Sequence, residues 1–179
     1  MGWLDALIKW LYKALMPSQD HITEIRLDVP METLPEPTVE APKLPSKREK
    51  LYNVAYACLG IDMAPTQDYV GCAEAVIFVM KKAGVPGLPK SGILSTFELD
   101  KWMAKNLTRV NTPEFGDVAM FPTGTGNGSI RGHVFIVGKH KWMSNNSNTT
   151  LWDDHWKGAE ALAYYQKKGG INARYYRWV

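Results

Sequence analysis

The spacing of apolar residues changes once along this chain, near Arg109, and this change constrains the fold more than any other feature. Before it, apolar residues recur at helical spacing within segments that carry helix start and stop signals. After it, short apolar runs separated by turn residues predict strands. Helices followed by strands predict an α+β domain, in which N-terminal helices pack on an antiparallel sheet.

Three helices are predicted in this domain, at 47–59, 72–83 and 95–106. The first and third begin with Ser-x-x-Glu capping boxes, in which a serine and a glutamate satisfy each other's free amides. Gly60 and Gly84 follow the first two helices and provide stops, because glycine readily adopts the left-handed conformation found after a helix.

Four strands are predicted, at 117–121, 133–139, 141–145 and 173–179. A glycine-rich loop at 123–129 separates the first two. Loops at 61–71, 85–95 and 122–131 would shape whatever site the domain carries.

Residues 1–16 form a separate amphipathic helix by pattern. Asp5, Lys9 and Lys13 recur every four residues and make one narrow polar stripe on an otherwise apolar surface. The segment is too short and too charged to span a bilayer, and it lacks the small-residue cleavage site of a signal peptide. Three interpretations stay open, namely a helix lying in a membrane interface, a helix docked on a protein partner, and a helix packed on its own domain.

Residues 17–46 are predicted to be an extended linker arm. Six prolines interrupt any helix there, and residues 17–47 carry six acids and three bases. Alternating apolar residues at 25–29 also allow a short strand. The arm is either solvated or laid on a partner.

The remaining body, residues 48–179, has sixteen bases and eleven acids. This mild positive charge favours an anionic polymer such as a cell wall, and it is too weak and scattered to indicate nucleic-acid binding.

Cys72 and His133 are the residues of this body that most strongly indicate chemistry. Cys72 begins a predicted helix, where the helix dipole and free amide groups favour a thiolate. His133 begins a predicted strand and follows Cys72 in the order nucleophile then base. An imidazole held beside the thiol would complete the pair used in cysteine hydrolases.

The other cysteine and histidines indicate no further site. Cys58 lies in an apolar helical run and is expected to be buried, and two thiols cannot form a disulfide framework. The four histidines lack metal-ligand spacing, so neither a metal nor another cofactor is predicted. His140 and His155 are expected at the surface, and Trp102, Trp142 and Trp152 in the core.

Three motifs of the body occur together: a helix that begins at Cys72, a Gly-Asp-hydrophobic strand at 116–121, and a Gly-His-Val-x-Ile-Val strand at 132–137. An aromatic and basic segment at 175–178 follows them. In this combination, residues 47–179 resemble the NlpC/P60 and CHAP families, papain-like hydrolases of cell-wall peptides.

The resemblance implies a papain-like fold and assigns roles to particular residues. Cys72 would be the nucleophile, its own backbone N–H would supply part of the oxyanion hole, and His133 would be the base. A polar residue on the next strand orients the imidazole in these families. Their spacing selects Asn145, with Asn146 as the alternative, and an asparagine in this role resembles the papain arrangement.

The resemblance also implies a cysteine-dependent peptidoglycan hydrolase, either an endopeptidase or an amidase, that acts on stem peptides. The order Gly-Cys-Ala-Glu at 71–74 replaces the usual Asp-Cys-Ser-Gly-like segment and resembles hydrolase domains of phage lysis and virion proteins. The expected location is a phage virion or the host cell envelope. Residues 1–46 would then bind a membrane surface or a virion or tail protein.

Two alternatives to hydrolysis remain open from the sequence. One is a structural virion or binding protein that keeps the fold without useful catalysis, for which the substituted residues at 73 and 74 leave room. The other is a thiol acyltransferase or deamidase acting on a protein substrate.

Overall fold

The computed structural model describes residues 44–66, 71–89 and 95–179. The predicted helix at 1–16, the short strand at 25–29 and almost all of the arm at 17–46 lie outside the described residues. Within the described ranges, no helix has both the length and the apolar character needed to cross a membrane.

The three predicted helices of the body are confirmed. They are α1 (Lys47–Ala57), α2 (Cys72–Ala83) and α3 (Thr96–Asn106). The predicted capping box of α1 forms, since the Ser46 hydroxyl accepts from the Glu49 amide and the Glu49 carboxylate accepts from the Ser46 amide. Helix α2 ends where predicted, at Gly84, which has a left-handed φ of 83°.

The capping box predicted for α3 is wrong in one half. The Ser95 hydroxyl accepts from the Phe97 amide and caps the helix. Glu98 instead pairs with Lys101, 3.2 Å away on the exposed surface of the helix. The nearby lysine therefore competes with the helix end for the glutamate.

A six-stranded antiparallel sheet follows the helices, in the order β1-β6-β2-β3-β4-β5. Its strands are β1 (Thr108–Val110), β2 (Val118–Phe121), β3 (His133–Ile136), β4 (Trp142–Asn145), β5 (Trp152–Trp156) and β6 (Arg174–Arg177). This confirms the α+β class with an antiparallel sheet, although the four predicted strands are shorter than expected.

The sequence analysis did not predict strands β1 and β5, nor the helical segment between β5 and β6. Strands β1 and β5 are short or rich in polar residues, so the apolar alternation that marks a strand is weak in both. Between β5 and β6 the chain forms α4 (Gly158–Leu162), which continues as the π-helical segment π1 (Ala163–Lys168).

Strand alternation divides the core into two clusters on opposite faces of the sheet. The helix-side cluster joins α1, α2 and α3 to the sheet through residues such as Ile77, Met80, Met120, Val134 and Ile136. The aromatic-side cluster lies under α4 and π1 and contains Phe121, Phe135, Trp142 and Tyr165. Cys58 and Trp152 are buried in the helix-side cluster and Trp142 in the aromatic-side cluster, as predicted, and Trp102 packs partly buried against the helix-side cluster.

The last strand is fixed by two buried carboxylates. Asp117 is fully buried and accepts from Nε and Nη2 of Arg177, at 2.9 and 2.7 Å. Asp100 accepts from the Tyr176 hydroxyl at 2.7 Å and also pairs with Arg174. Asp117 of the Gly-Asp motif therefore has a structural role, because it attaches β6 to the start of β2.

Candidate active site

The N-terminus of α2 carries the first predicted site residue, Cys72. The helix packs on β3 and β4 through its apolar face, and this places its first residue at one end of these strands. The thiol is only 8% exposed and lines a cavity of about 590 Å³. The same cavity is lined by Ser95, Thr96, Thr123, Arg131, Gly132, His133, Asn145, Ser147, His155, Trp156, Tyr164 and Tyr165.

Burial dominates the electrostatics of Cys72. It raises the pKa of the thiol from 9.0 to about 11, although the amides of Val134, Ala73 and Cys72 itself lie within hydrogen-bonding reach and act in the opposite direction. The helix N-terminus thus contributes the expected donors, but desolvation outweighs them. The thiol is therefore protonated at neutral pH.

His133, the second predicted residue, is the first residue of β3. Its ring stacks on Tyr165 with centroids 5.7 Å apart and an interplanar angle of 11°, and it also contacts Phe135 at 4.5 Å. Burial and the neighbouring His155 lower the pKa of His133 from 6.5 to about 3, so the imidazole is neutral at physiological pH. Its Nε2 is buried and has no hydrogen-bond partner among the described residues.

The two residues line the same cavity, and the strand that carries His133 also approaches Cys72. Val134, the next residue of β3, presents its backbone N–H to the Cys72 sulfur. Cys72 also acts on Tyr165, the residue that stacks on His133, and contributes to raising its pKa. The cavity therefore brings a protonated thiol and a neutral imidazole together, a combination in which the thiol has a proton to give and the imidazole can take it.

Asn145, the third predicted residue, ends β4 beside β3. It is 2% exposed and forms part of the cavity wall. The alternative, Asn146, is bound elsewhere: its Nδ2 donates to Asp153 at 3.0 Å and its Oδ1 accepts from the Asn148 amide. Of the two asparagines, only Asn145 lines the cavity of Cys72 and His133.

His155 is a cavity residue that the sequence did not predict. Its side chain is 26% exposed, its Nδ1 lies 3.8 Å from Asp153 Oδ2, and desolvation is the main reason that its pKa is lowered. His155 is therefore partly exposed and also lines the cavity, on a strand, β5, that the sequence did not predict. The expectation of a surface position was right for His140, which is exposed.

The turn before His133 is held by a small hydroxyl network. The Gly132 amide donates to the Thr123 hydroxyl at 2.9 Å, and the Thr123 amide donates to the Thr96 hydroxyl at 3.0 Å. A Cβ on Gly132 would lie 2.1 Å from the Phe121 carbonyl oxygen, so no other residue fits there without moving backbone. The glycine of the Gly-His motif is explained by this close approach.

Within the described part of the chain, no group of three or more histidine, cysteine, aspartate or glutamate side chains is arranged to hold a metal ion. The described site residues instead combine a thiol, two imidazoles, an amide and several hydroxyls. This set is suited to proton transfer and nucleophilic attack on a carbonyl.

No family model matches the chain, and no curated protein sequence matches it. Among solved structures, it is similar to a chain in the crystal structure of the type VI native effector-immunity complex Tae3-Tai3 from Ralstonia pickettii. The match covers 75% of this chain and 100% of that chain, at 18% sequence identity and a TM-score of 0.49.

Proposed function

We propose that this protein is a cysteine-dependent amide hydrolase with a papain-like fold, and that its substrates are the peptides of peptidoglycan. The observation that supports this most directly is the shared cavity of Cys72, at a helix N-terminus, and His133, at a strand start, with the Val134 amide reaching the thiol.

The proposed reaction is acyl transfer to the thiol followed by hydrolysis. His133 takes the proton of Cys72 as the sulfur bonds to the amide carbonyl carbon, and the backbone N–H of Cys72 donates to the oxyanion that forms. The carbon–nitrogen bond then breaks, with the proton passing from His133 to the leaving amine. Water attacks the thioester, which releases the acid and restores the thiol. Asn145 orients the imidazole.

Cys72 and His133 are both neutral at physiological pH, and this limits when the proton can move between them. Because desolvation raises the pKa of Cys72 and lowers that of His133, an ion pair of the two residues is costly in this cavity. Proton transfer is therefore expected to accompany attack on bound substrate. A site of this kind is guarded against alkylation and oxidation until a substrate fills it.

The substrate class follows from the resemblance of residues 47–179 to cell-wall hydrolases and from the mild positive charge of the body. Both an endopeptidase, cutting within the stem peptide, and an amidase, cutting between sugar and peptide, fit the proposal. The order Gly-Cys-Ala-Glu at 71–74 favours a phage lysis or virion enzyme, attached to membrane or virion through residues 1–46.

The test is release of soluble muropeptides from purified cell walls, with the products identified by mass. The wild type is compared with Cys72→Ala and with Cys58→Ala, a matched control that removes a buried thiol outside the cavity. We expect release by the wild type and the control and none by Cys72→Ala. Absence of release by folded wild type from several wall types would contradict the proposal.

The raised pKa of Cys72 favours one alternative, a structural or binding protein that keeps the fold without catalysis. This alternative predicts that the folded wild type releases no muropeptides but sediments with cell walls, and that Cys72→Ala sediments equally well. Pelleting of both proteins with purified walls, measured alongside the release assay, separates the two functions.

A further inference from the structure

Among the described residues that line the cavity, one carries a full positive charge. Arg131 is the only arginine or lysine among the described lining residues, and none of those residues is an aspartate or glutamate. The thiol of Cys72 and the imidazole of His133 are neutral at physiological pH. A substrate entering the cavity therefore meets one fixed positive charge with no built-in counter-charge in the described wall.

Arg131 differs in this respect from the arginines that hold the fold together. Arg48, Arg174 and Arg177 each form an ion pair with a carboxylate of the domain. Arg131 forms no ion pair with any described carboxylate, and its side chain is exposed at the cavity. It has the charge and the accessibility to bind a carboxylate that the protein itself does not supply.

The position of Arg131 is set by the same turn that positions the base. Gly132 separates it from His133, and the Gly132 amide is fixed by the Thr123 hydroxyl at 2.9 Å. Close packing of Gly132 against the Phe121 carbonyl leaves the turn little room to shift. An acidic group bound by the guanidinium would consequently lie near the imidazole and the scissile bond.

We propose that Arg131 binds a free carboxylate of the substrate, so that the site selects peptides carrying a carboxylate close to the amide that is cleaved. A guanidinium offers two parallel N–H donors that match the two oxygens of a carboxylate. If the substrate carboxylate is amidated, its NH2 group faces these donors and cannot accept from them. This inference rests on the proposed function and specifies the acidic class of cell-wall peptide that the site accepts.

The experiment uses two probes, a disaccharide-tetrapeptide with free carboxylates and the same compound with its carboxylates amidated. kcat/KM is measured on both for the wild type, Arg131→Gln and Arg109→Gln. Arg109 is an exposed arginine on β1 outside the cavity lining, so its variant controls for loss of one positive charge.

We expect the wild type and Arg109→Gln to favour the acidic probe by at least about tenfold, the scale of a charge-assisted contact. Arg131→Gln should lose this preference by slowing on the acidic probe alone. Equal rates of the wild type on both probes, or an equal fall on both in Arg131→Gln, would overturn the inference.

A second measurement separates this inference from the proposed function. Both probes are titrated into full-length Cys72→Ala, with and without Arg131→Gln, and binding is followed by calorimetry. If the wild type hydrolyses neither probe, the proposed function fails. Tighter binding of the acidic probe that depends on Arg131 would still support the carboxylate site, and equal or absent binding of the two probes would overturn it.

Discussion

The two faces of the sheet hold the candidate site in different ways. On the helix side, α2 lies on β3 and β4 through aliphatic side chains, and this packing fixes Cys72 at the helix end. On the aromatic side, His133 is held by ring contacts with Phe135 and Tyr165, the second of which comes from the π-helical segment. The nucleophile is thus positioned by regular secondary structure, and the base by an irregular aromatic cluster.

This difference separates stability from chemistry. Aliphatic packing of a helix on a sheet contributes most of the free energy of a small domain, in proportion to the apolar area that it buries. Aromatic contacts with one imidazole contribute less energy, but they set the orientation and the pKa of that imidazole. Substitutions on the helix side should therefore mainly change the free energy of unfolding. Substitutions on the aromatic side should mainly change kcat.

The largest effect is expected at the base itself. His133→Gln keeps a polar group of similar size but cannot accept and return a proton, so kcat should fall by about 10² to 10⁴. Muropeptide release measured alongside the circular dichroism spectrum separates loss of chemistry from loss of fold. His140→Gln, at an exposed position outside the cavity, is the control and should keep full activity.

Substitutions on the two faces give the direct comparison. Ile77→Ala, in the helix-side cluster, should destabilise the protein by about 2–5 kcal/mol through a buried cavity and leave kcat of the folded protein unchanged. Tyr165→Leu removes the ring that stacks on His133 and should lower kcat clearly at a smaller cost in stability. Denaturant unfolding and kcat are measured for both, and a fall in kcat for Ile77→Ala alone would break the distinction.

The same division explains how much could be predicted from the sequence. The apolar stripe of α2, its glycine stop and the strand motifs at 116–121 and 132–137 are local patterns, and they placed Cys72 and His133 correctly at element ends. The resemblance to NlpC/P60 and CHAP hydrolases implied Asn145, with Asn146 as the alternative, and Asn145 lines the cavity.

The contributions of Tyr165 and His155 to the site could not be predicted. Their contacts are distant in sequence, and the elements that carry them are irregular or polar. Tyr165 belongs to a π-helical segment of six residues, which is too short to show its period in the sequence, and its ring contacts His133 from 32 positions away. The acids at 153 and 154 conceal strand β5 and with it the approach of His155. Tertiary packing of this kind decides burial, and burial decides the pKa values of the site.

Acid should reveal the lowered pKa of the partly buried His133 imidazole. The pKa of His133 is about 3 in the folded protein against 6.5 ordinarily, so between these pH values the unfolded chain binds a proton that the folded protein does not. Above pH 6.5 the imidazole is neutral in both states and the full stability of the protein is present. As the pH falls from 6.5 towards 3, protonation of the unfolded chain lowers the free energy of unfolding. The loss should approach about 1.4 kcal/mol per pH unit.

The comparison for this prediction is His133→Gln, which retains every other titrating group. Urea unfolding at several pH values between 3 and 7 should show a smaller acid destabilisation in the variant than in the wild type. Parallel curves for the two proteins would mean that the imidazole is solvated, and that the aromatic side does not enclose it as described.

The smallest effect is expected in the turn that carries His133. Thr123→Val removes the hydroxyl that accepts from Gly132 and contacts Thr96, which should cost about 1–3 kcal/mol because a donor loses its partner. Thr123→Ser keeps the hydroxyl and should restore most of the stability. Thermal unfolding of the pair checks this, and a loss in Thr123→Ser as large as that in Thr123→Val would contradict the role given to the hydroxyl.

The π-helical segment predicts how the site responds to deletion of a single residue. Its Gly169 amide donates to the Tyr164 carbonyl, five residues earlier, so the turn contains one residue more than an α-helical turn. Deleting Ala163 or Tyr164 would let the helix close regularly, but it would rotate the side chains that follow, including Tyr165, by about 100°. Such a shortened protein should lose the ring that stacks on His133, together with the packing that this ring contributes to the aromatic-side cluster. An extra residue in a helix is here what sets a tyrosine against the base.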